Sequence, residues 1–235
     1  MKTVLSVDLD WFNSEEEEKT KSNSQYQQIT TNVKKFFHQL QENCNLPTDV
    51  TIMEEHHFLY PWAKEFMINN NVQEIELINI DEHHDFYYAD SINDFDRDLV
   101  DCSNFFNFMV FDDMLSKYHW ICSASEDSSV LAQISDIMKH TSDSWCRRIR
   151  KFQEKISVVG RQSAIEVIKG RNIDGFVIVK SPDYTNNKEI IYSAVDKIFN
   201  HHDWNVKYNK QTTSFTRLFI NQNIEERHKY AVCSM

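Results

Sequence analysis

The sequence predicts a three-layer α/β domain with a mainly parallel central sheet, and two patterns along the chain support this prediction. Short β-branched and apolar runs alternate with longer stretches in which apolar residues recur at helical spacing. Strands that alternate with helices pair in parallel, because each helix returns the chain to the same edge of the sheet. No repeat, linker or low-complexity segment interrupts the series, so residues 1–235 are expected to form a single domain.

The predicted strands are short and rich in Val, Ile and aromatic residues. They span residues 3–7, 50–53, 75–80, 118–123, 156–159 and 174–179, with a final edge strand at 214–220. The predicted helices span residues 25–41, 61–67, 104–115, 131–138, 144–155, 163–169 and 188–199. Pro61 is expected to open its helix, because a proline in the first helical turn has no N–H that needs a partner.

Composition predicts a reduced, cytoplasmic chain with one apolar core. Hydrophobic residues make up 41% of the sequence and aromatic residues 13%, which is ample for one core at this length. The five cysteines are odd in number and scattered, and they form no CxxC zinc pattern. No membrane span or signal peptide is recognisable. The net charge of −11 argues against a nucleic-acid partner and suits a basic substrate.

One predicted strand ends in a cluster of acidic and histidine residues. The strand at 75–80 is followed by the pentapeptide DEHHD at 81–85. Alternate residues of an extended chain project to the same side, so Asp81, His83 and Asp85 are expected to converge. Two carboxylates and one imidazole suit a divalent ion such as manganese, iron, cobalt or zinc. A single cluster of this kind also occurs in solvated loops.

Two further strand ends supply more side chains of the same kind. The strand at 3–7 leads into Asp8-Leu9-Asp10, and the strand at 50–53 leads into Glu54-Glu55-His56-His57. Parallel strands present their carboxyl ends at one edge of a sheet, where such folds build their sites. The predicted metal ligands are Asp8, Asp10, His56, Asp81, His83 and Asp85. Six ligands exceed the needs of one zinc ion and fit two adjacent ions, which would also neutralise the mutually repelling carboxylates.

These motifs resemble those of the arginase or ureohydrolase superfamily, which also includes the histone deacetylases. Asp81, His83 and Asp85 match its Asp-x-His-x-Asp motif, Asp8 and Asp10 match its Asp-x-Asp motif, and His56 matches its lone His ligand. Arginases carry the Asp-x-Asp strand last of the three, whereas here it is first. Circular permutation explains this order, because the termini of compact domains often lie close together. The resemblance therefore implies a permuted arginase-like fold, with the Asp8 strand between the strands ending near Asp81 and near Val179.

The permuted order, the short length and the segments EEHH and VKSPDYT together resemble a narrower branch that includes the peptide arginases. Those enzymes convert arginine side chains of ribosomally made peptides to ornithine. The resemblance implies two manganese ions, a hydroxide that attacks the guanidinium carbon, and an arginine-containing precursor peptide as partner. Asp85 is expected to orient the hydroxide, and His57 is a candidate proton shuttle. For His57 and His84, a supporting or surface position is the alternative.

Several further residues have two readings from sequence. Asp183, with Ser181, occupies a place comparable to the acid that binds the guanidinium in arginases, or it belongs to a Ser-Pro-Asp turn. Asn104 either contacts the substrate or caps its helix. The acidic run at 15–18 is a solvated surface or a rim for a basic peptide, and His-His-Asp at 201–203 is a solvated loop or a metal site.

The alternative functions are a deacetylase-like or other C–N hydrolase and a non-catalytic metal-binding module.

Overall fold

A parallel β-sheet forms the centre of the molecule. The computed structural model describes residues 1–12, 23–85, 99–102, 105–123, 152–200, 204–209 and 217–219. The described strands are β1 (Lys2–Asp8), β2 (Asp49–Met53), β3 (Ile75–Ile80), β4 (Leu99–Asp101), β5 (Leu115–Ile121), β6 (Ile156–Val159), β7 (Gly175–Val179), β8 (Asn205–Asn209) and β9 (Arg217–Phe219). The described helices are α1 (Asn23–Asn43), α2 (Leu59–Asn69), α3 (Phe105–Phe111), α4 (Ala164–Ile168) and α5 (Lys188–Asn200).

Seven of the described strands form one sheet in which every neighbouring pair is parallel. The strand order is β6-β5-β3-β1-β7-β2-β8. The α/β class predicted from the alternation of strands and helices is therefore confirmed. Of the helices in the described ranges, none is both long and apolar enough to cross a membrane.

Alternate residues of the central strands face opposite layers of helices. In β1, Val4 packs in the apolar cluster that includes α2 and α3, whereas Leu5 and Val7 pack in the cluster that includes α1, α4 and α5. In β7, Val177 joins the first cluster and Ile178 joins the second. Helices therefore cover both faces of the sheet, which gives the predicted three layers and explains the nearly continuous apolar runs in these strands.

The first strand of the chain lies in the middle of the sheet, as predicted. Leu5 of β1 pairs with Ile78 of β3 on one side and with Phe176 of β7 on the other. All residues of β1 from position 4 to position 8 are buried. The strand that delivers Asp8 is thus held on both edges and on both faces.

Several element boundaries differ from those predicted. The helix predicted at 104–115 ends at Phe111, because Asp113 adopts a left-handed backbone (φ 52°) and the chain then enters β5 at Leu115. Helix α2 begins at Leu59, so Pro61 lies within its first turn rather than at its start.

The edge of the main sheet is also different from the prediction. Strand β8 forms this edge in the described part of the chain, and its mixed sequence NVKYN was not recognised as a strand. The described part of the strand predicted at 214–220 is β9, which pairs antiparallel with β4 in a separate two-stranded sheet. The helix predicted at 131–138, most of that at 144–155, and the runs at 15–18 and 201–203 lie outside the described residues.

Candidate metal centre

The carboxyl ends of β1, β2 and β3 meet around one small cavity. Asp8 ends β1 and Asp10 lies in the following 3-10 turn, while Asp81 directly follows β3. The cavity has a volume of about 60 Å³ and is lined by Asp8, Asp10, His56, Asp81, His83, Asp85, Cys102, Ser181 and Tyr184. All six side chains predicted as ligands are therefore brought together at the carboxyl edge of the sheet.

The imidazole of His56 lies among three carboxylates. Its Nδ1 atom is 3.1 Å from Oδ2 of Asp8, 2.9 Å from Oδ2 of Asp81 and 2.9 Å from Oδ2 of Asp85. Although these distances are short, His56 Nδ1 and Asp85 Oδ2 have no aligned hydrogen-bond partner among the described residues, and both atoms are buried. One nitrogen cannot satisfy three converging carboxylates, whereas a cation between them would. This donor set fits a divalent metal ion.

A second group of ligand atoms lies beside the first and shares one carboxylate with it. The first group is Asp8, His56 and Asp81, and the second is Asp10, Asp81 and His83. Within each group the ligand atoms all lie within 4.8 Å of one another. His83 Nδ1 is 3.0 Å from Oδ2 of Asp10, and the His83 side chain is 40% exposed, so the second group is closer to solvent. These buried Asp and His groups can hold metal ions, and Asp81 belongs to both.

Serine hydroxyls contact two of these side chains. Ser6 Oγ lies 3.1 Å from Nε2 of His56. A proton on Nε2 that is donated to Ser6 leaves the Nδ1 lone pair for a metal. The hydroxyl of Ser181 donates to Oδ2 of Asp8 at 2.6 Å. Ser181 has a left-handed backbone (φ 44°), which is rare outside glycine and asparagine and fixes this turn.

The carboxylates of the site repel one another in the absence of a cation. Burial and the charge of Asp85 raise the pKa of Asp81 to about 8. Burial, followed by the charges of Asp8 and Asp81, raises the pKa of Asp10 well above its usual range. Burial also raises the pKa of Asp85. Each raised pKa means that the carboxyl group favours a bound proton at this place. A bound metal ion would take the place of that proton.

The two histidines respond to the same negative charge. Burial alone lowers the pKa of His56, but the charges of Asp81 and Asp85 outweigh it and raise this pKa well above its usual value. The hydrogen bond to Asp10 is the main cause that raises the pKa of His83 to about 10. Both imidazoles therefore sit where the protein favours positive charge, which is also what a metal ion brings.

The mouth of the cavity carries an aromatic ring, a thiol and further carboxylates. The ring of Tyr184 packs edge-on against His83 with a centroid distance of 5.7 Å, and its hydroxyl lies 3.6 Å from Sγ of Cys102. Burial raises the pKa of Glu55 to about 7, with further contributions from the charges of Asp183 and Asp8. The mouth is thus acidic as well as aromatic. Cys102 belongs to the segment 102–104 that the sequence places within possible reach of the substrate, whereas neither Tyr184 nor Glu55 is predicted from sequence as a site residue.

The remaining predicted site residues lie at different places. Ser181 lines the cavity, whereas Asp183 is exposed near its mouth. His57 is fully buried beside Phe58, with 4.3 Å between the ring centroids, and is not among the cavity-lining residues. His84 is also buried, and the structure therefore rules out a surface position for either His57 or His84. Asn104 lies outside the described residues.

Comparisons of the chain with protein-family models, with curated proteins and with solved structures found no match. The geometry of the site is therefore the basis for the functional assignment.

Proposed function

We propose that this protein is a two-metal hydrolase that releases urea from arginine side chains of a ribosomally made precursor peptide and leaves ornithine. The observation that carries the proposal is the pair of three-ligand groups that share Asp81 and in which every ligand except the partly exposed His83 is buried. Shared carboxylates are the means by which proteins hold two ions close together. The circularly permuted arginase-like fold inferred from the motif order is part of the same proposal.

The ligand set favours manganese. Asp8, His56 and Asp81, with Asp85 against His56, would hold one ion, and Asp10, Asp81 and His83 would hold the other. Four carboxylates and two imidazoles form a mainly oxygen donor set, which suits Mn²⁺. Zinc and copper are selected more often by thiolate-rich sites. When bound, two such ions act as Lewis acids and lower the pKa of a water molecule toward neutrality.

The side chains of the cavity have separate tasks in this reaction. Asp85 Oδ2 is buried and without an aligned hydrogen-bond partner among the described residues, so it can orient the attacking water and accept its proton. Attack on the guanidinium carbon is followed by cleavage of its bond to the side-chain nitrogen, which leaves as the amine of ornithine after taking up a proton. Urea is the other product.

The size of the cavity favours a substrate that is presented from outside. Its volume of about 60 Å³ is comparable to that of about two water molecules. The reacting group therefore has to enter through the mouth beside Tyr184, and the rest of the substrate stays outside. A side chain on a peptide meets this requirement.

The charge of the mouth favours a cationic end group. Glu55 is half-buried, and its pKa is raised by burial and by the carboxylates of Asp183 and Asp8, so an incoming guanidinium would stabilise its ionised form. A guanidinium also offers paired N–H groups that match a carboxylate. Glu55 and Asp183 are therefore the proposed contacts to the substrate cation.

The decisive experiment measures urea release from arginine-containing peptides in the presence of Mn²⁺. Mass spectrometry of the same peptides should show loss of CN₂H₂ from arginine. Asp8→Ala and His83→Ala should abolish both signals, because each removes a ligand. Glu166→Ala is the matched control, since Glu166 is an exposed carboxylate of α4 paired only with exposed Lys169 among the described residues, and it should retain activity.

Two other outcomes would replace this assignment. Release of acetate from acetyl-lysine peptides without urea release would identify a deacetylase on the same site. Binding of Mn²⁺ with no turnover of either kind of peptide would favour a non-catalytic metal-binding module.

A further inference from the structure

A buried polar layer lies directly beneath the ligands. Ser6 of β1 and Asn79 of β3 are paired in the register of the sheet, and both side chains are completely buried. Each precedes an acidic ligand by two positions, Asp8 in one strand and Asp81 in the other, and so points to the same face. Burying a polar side chain in a core costs free energy unless it is hydrogen-bonded. The hydrogen-bond partners of Ser6 and Asn79 therefore have to be found within the site.

Asn79 contacts the carboxylate that the two ligand groups share. Its Nδ2 atom donates to Oδ2 of Asp81 at 3.0 Å and to the hydroxyl of Tyr118 at 3.2 Å. The Tyr118 hydroxyl in turn lies 3.5 Å from the backbone carbonyl oxygen of His84, in the donating direction. Asn79 and Tyr118 thus link the Asp81 carboxylate, through buried polar contacts, to the backbone of the loop at 81–85 that also carries His83 and Asp85.

Asp81 is also held at three other atoms. The indole N–H of Trp120 donates to its backbone carbonyl at 3.1 Å, and the backbone N–H of His83 donates to Oδ1 at 2.9 Å. Its own backbone N–H donates to the carbonyl of Ile121 at 3.1 Å. Each carboxylate oxygen thus receives one donor and keeps lone pairs for a cation. With the backbone fixed, the His83 N–H on Oδ1 and the Asn79 side chain on Oδ2 together set the rotation of the carboxylate, and of these two donors only Asn79 acts through its side chain.

We propose that Asn79, supported by Tyr118, is a positioning residue that holds the Asp81 carboxylate in the one orientation that serves both metal positions. This inference rests on the metal centre of the proposed function. It predicts an asymmetry between the two members of the polar layer. Ser6 contacts His56, which belongs to one ligand group, whereas Asn79 contacts Asp81, which belongs to both.

The test is Mn²⁺ binding to the full-length chain, measured by calorimetry and by electron paramagnetic resonance. The parent protein should bind two ions and give the signal of an exchange-coupled manganese pair. Asn79→Ala should lower the affinity for both Mn²⁺ ions by about 10–100-fold and abolish the signal of the exchange-coupled pair. Ser6→Ala should lower the affinity for one ion by a similar factor and leave the affinity for the other ion unchanged. Tyr118→Phe removes only a hydroxyl and should give a smaller loss that affects both ions.

Circular dichroism and thermal unfolding without metal establish that each variant is folded. If Asn79→Ala does not fold, the comparison of Tyr118→Phe with Ser6→Ala decides. The inference is overturned if Asn79→Ala keeps the parental Mn²⁺ affinity and the signal of the coupled pair. It is also overturned if Asn79→Ala and Ser6→Ala both lose affinity for the same single ion and to the same extent. A parent that binds no Mn²⁺ would overturn it as well. A parent that binds two ions but releases no urea would refute the proposed reaction and leave the role of Asn79 standing.

Discussion

The Nδ1 atom of His56 lies 2.9 Å from Oδ2 of Asp81, although strands β1 and β7 separate β2 from β3 in the sheet. The 3-10 turn at His56–Phe58 follows the end of β2 after two residues and brings the imidazole over the ends of the intervening strands. The first ligand group therefore combines the ends of three strands, β1, β2 and β3, and the second combines the ends of β1 and β3, so no local segment of the chain contains a complete group.

Asp81→Asn should stabilise the metal-free protein while removing its response to metal. With a pKa of about 8, the Asp81 carboxyl of the metal-free protein must either bind a proton or carry a charge that its neighbours repel, and an asparagine avoids both costs. The unfolding temperature without metal should rise by at least about 2 °C, which corresponds to roughly 0.5–1 kcal/mol for a chain of this size. The further rise on adding Mn²⁺ should disappear. Asp49→Asn, a change in an exposed pair, is the control and should keep the metal response.

The stability of the metal-free protein should fall as the pH rises. Asp81 has a pKa of about 8 and His83 one of about 10, both above their unfolded values of about 3.9 and 6.5. The folded protein thus binds more protons than the unfolded chain, so the stabilisation is complete below the unfolded pKa and is lost as the pH rises through the folded one. Thermal unfolding between pH 5 and pH 9 checks this. Stability that rises across this range without metal would contradict the electrostatics of the site.

Metal binding should show the opposite trend with pH. Mn²⁺ competes with the protons on these ligands, so its affinity and its stabilising effect should increase from pH 6 to pH 8. Calorimetric titration at several pH values, in buffers of different ionisation enthalpy, measures both the affinity and the protons released. Proton release close to zero at pH 6 would show that the carboxylates are already ionised in the metal-free site.

Shortening a side chain of β1 should destabilise the whole domain. Leu5 is completely buried and pairs on both sides of its strand, so Leu5→Ala should lower the free energy of unfolding by about 2–5 kcal/mol. Deletion of residues 1–7 should prevent folding altogether. Chemical denaturation and circular dichroism measure these effects. A folded deletion protein would contradict the central position of β1.

A second charged cluster should contribute stability without affecting the metal centre. Glu76, at the other end of β3, accepts from Arg171 at 2.8 Å and lies 2.8 Å from Nε2 of His119. Burial opposes ionisation of Glu76, but these contacts lower its pKa. Glu76→Gln should cost about 2–3 kcal/mol above pH 5, and the difference from the parent should shrink as the pH falls through the Glu76 pKa. The Mn²⁺ response should stay parental, as equilibrium unfolding with and without the ion would show.

Asp183→Asn and Glu55→Gln should impair recognition of a cationic peptide. Each removes one negative charge beside the cavity mouth, so KM for an arginine peptide should rise about tenfold, while metal binding stays close to parental. Steady-state kinetics of urea release provide the measurement. A fall in kcat with unchanged KM would instead assign these carboxylates to the chemical step.

Much of the fold followed from local patterns because the central strands are buried on both faces. Apolar runs such as 75–80 and 174–179 have few alternatives to a strand, and acidic residues at their ends indicated a common edge. Strand β8 was missed because its residues are only partly buried or exposed, so its sequence lacks that signal. The left-handed turn at Asp113, which ends α3, has no reliable sequence signature either.

The ligand positions were easier to predict than the residues around them. Asp, His and their spacing are legible in a sequence, whereas the contacts of Asn79 and Tyr118 depend on how β3 and β5 align. Tyr184 and Cys102 meet only in the folded chain, 82 positions apart. For Ser6 and Asn79, a usable signal exists: a polar residue inside an apolar strand, two positions before an acid.

The place of β1 in the sheet also has a consequence for the order of events on the ribosome. Its two partners, β3 and β7, begin at Ile75 and Gly175, so β1 is made well before β7 and its pairing stays incomplete until then. Long-range pairing of this kind slows folding and leaves apolar edges open to other chains. All six proposed ligands lie between positions 8 and 85, so they are made before β7, which links β1 to β2 in the sheet. The nascent chain should therefore acquire its metal only after β7 has been made, and stalling before residue 179 should leave a chain that chaperones retain.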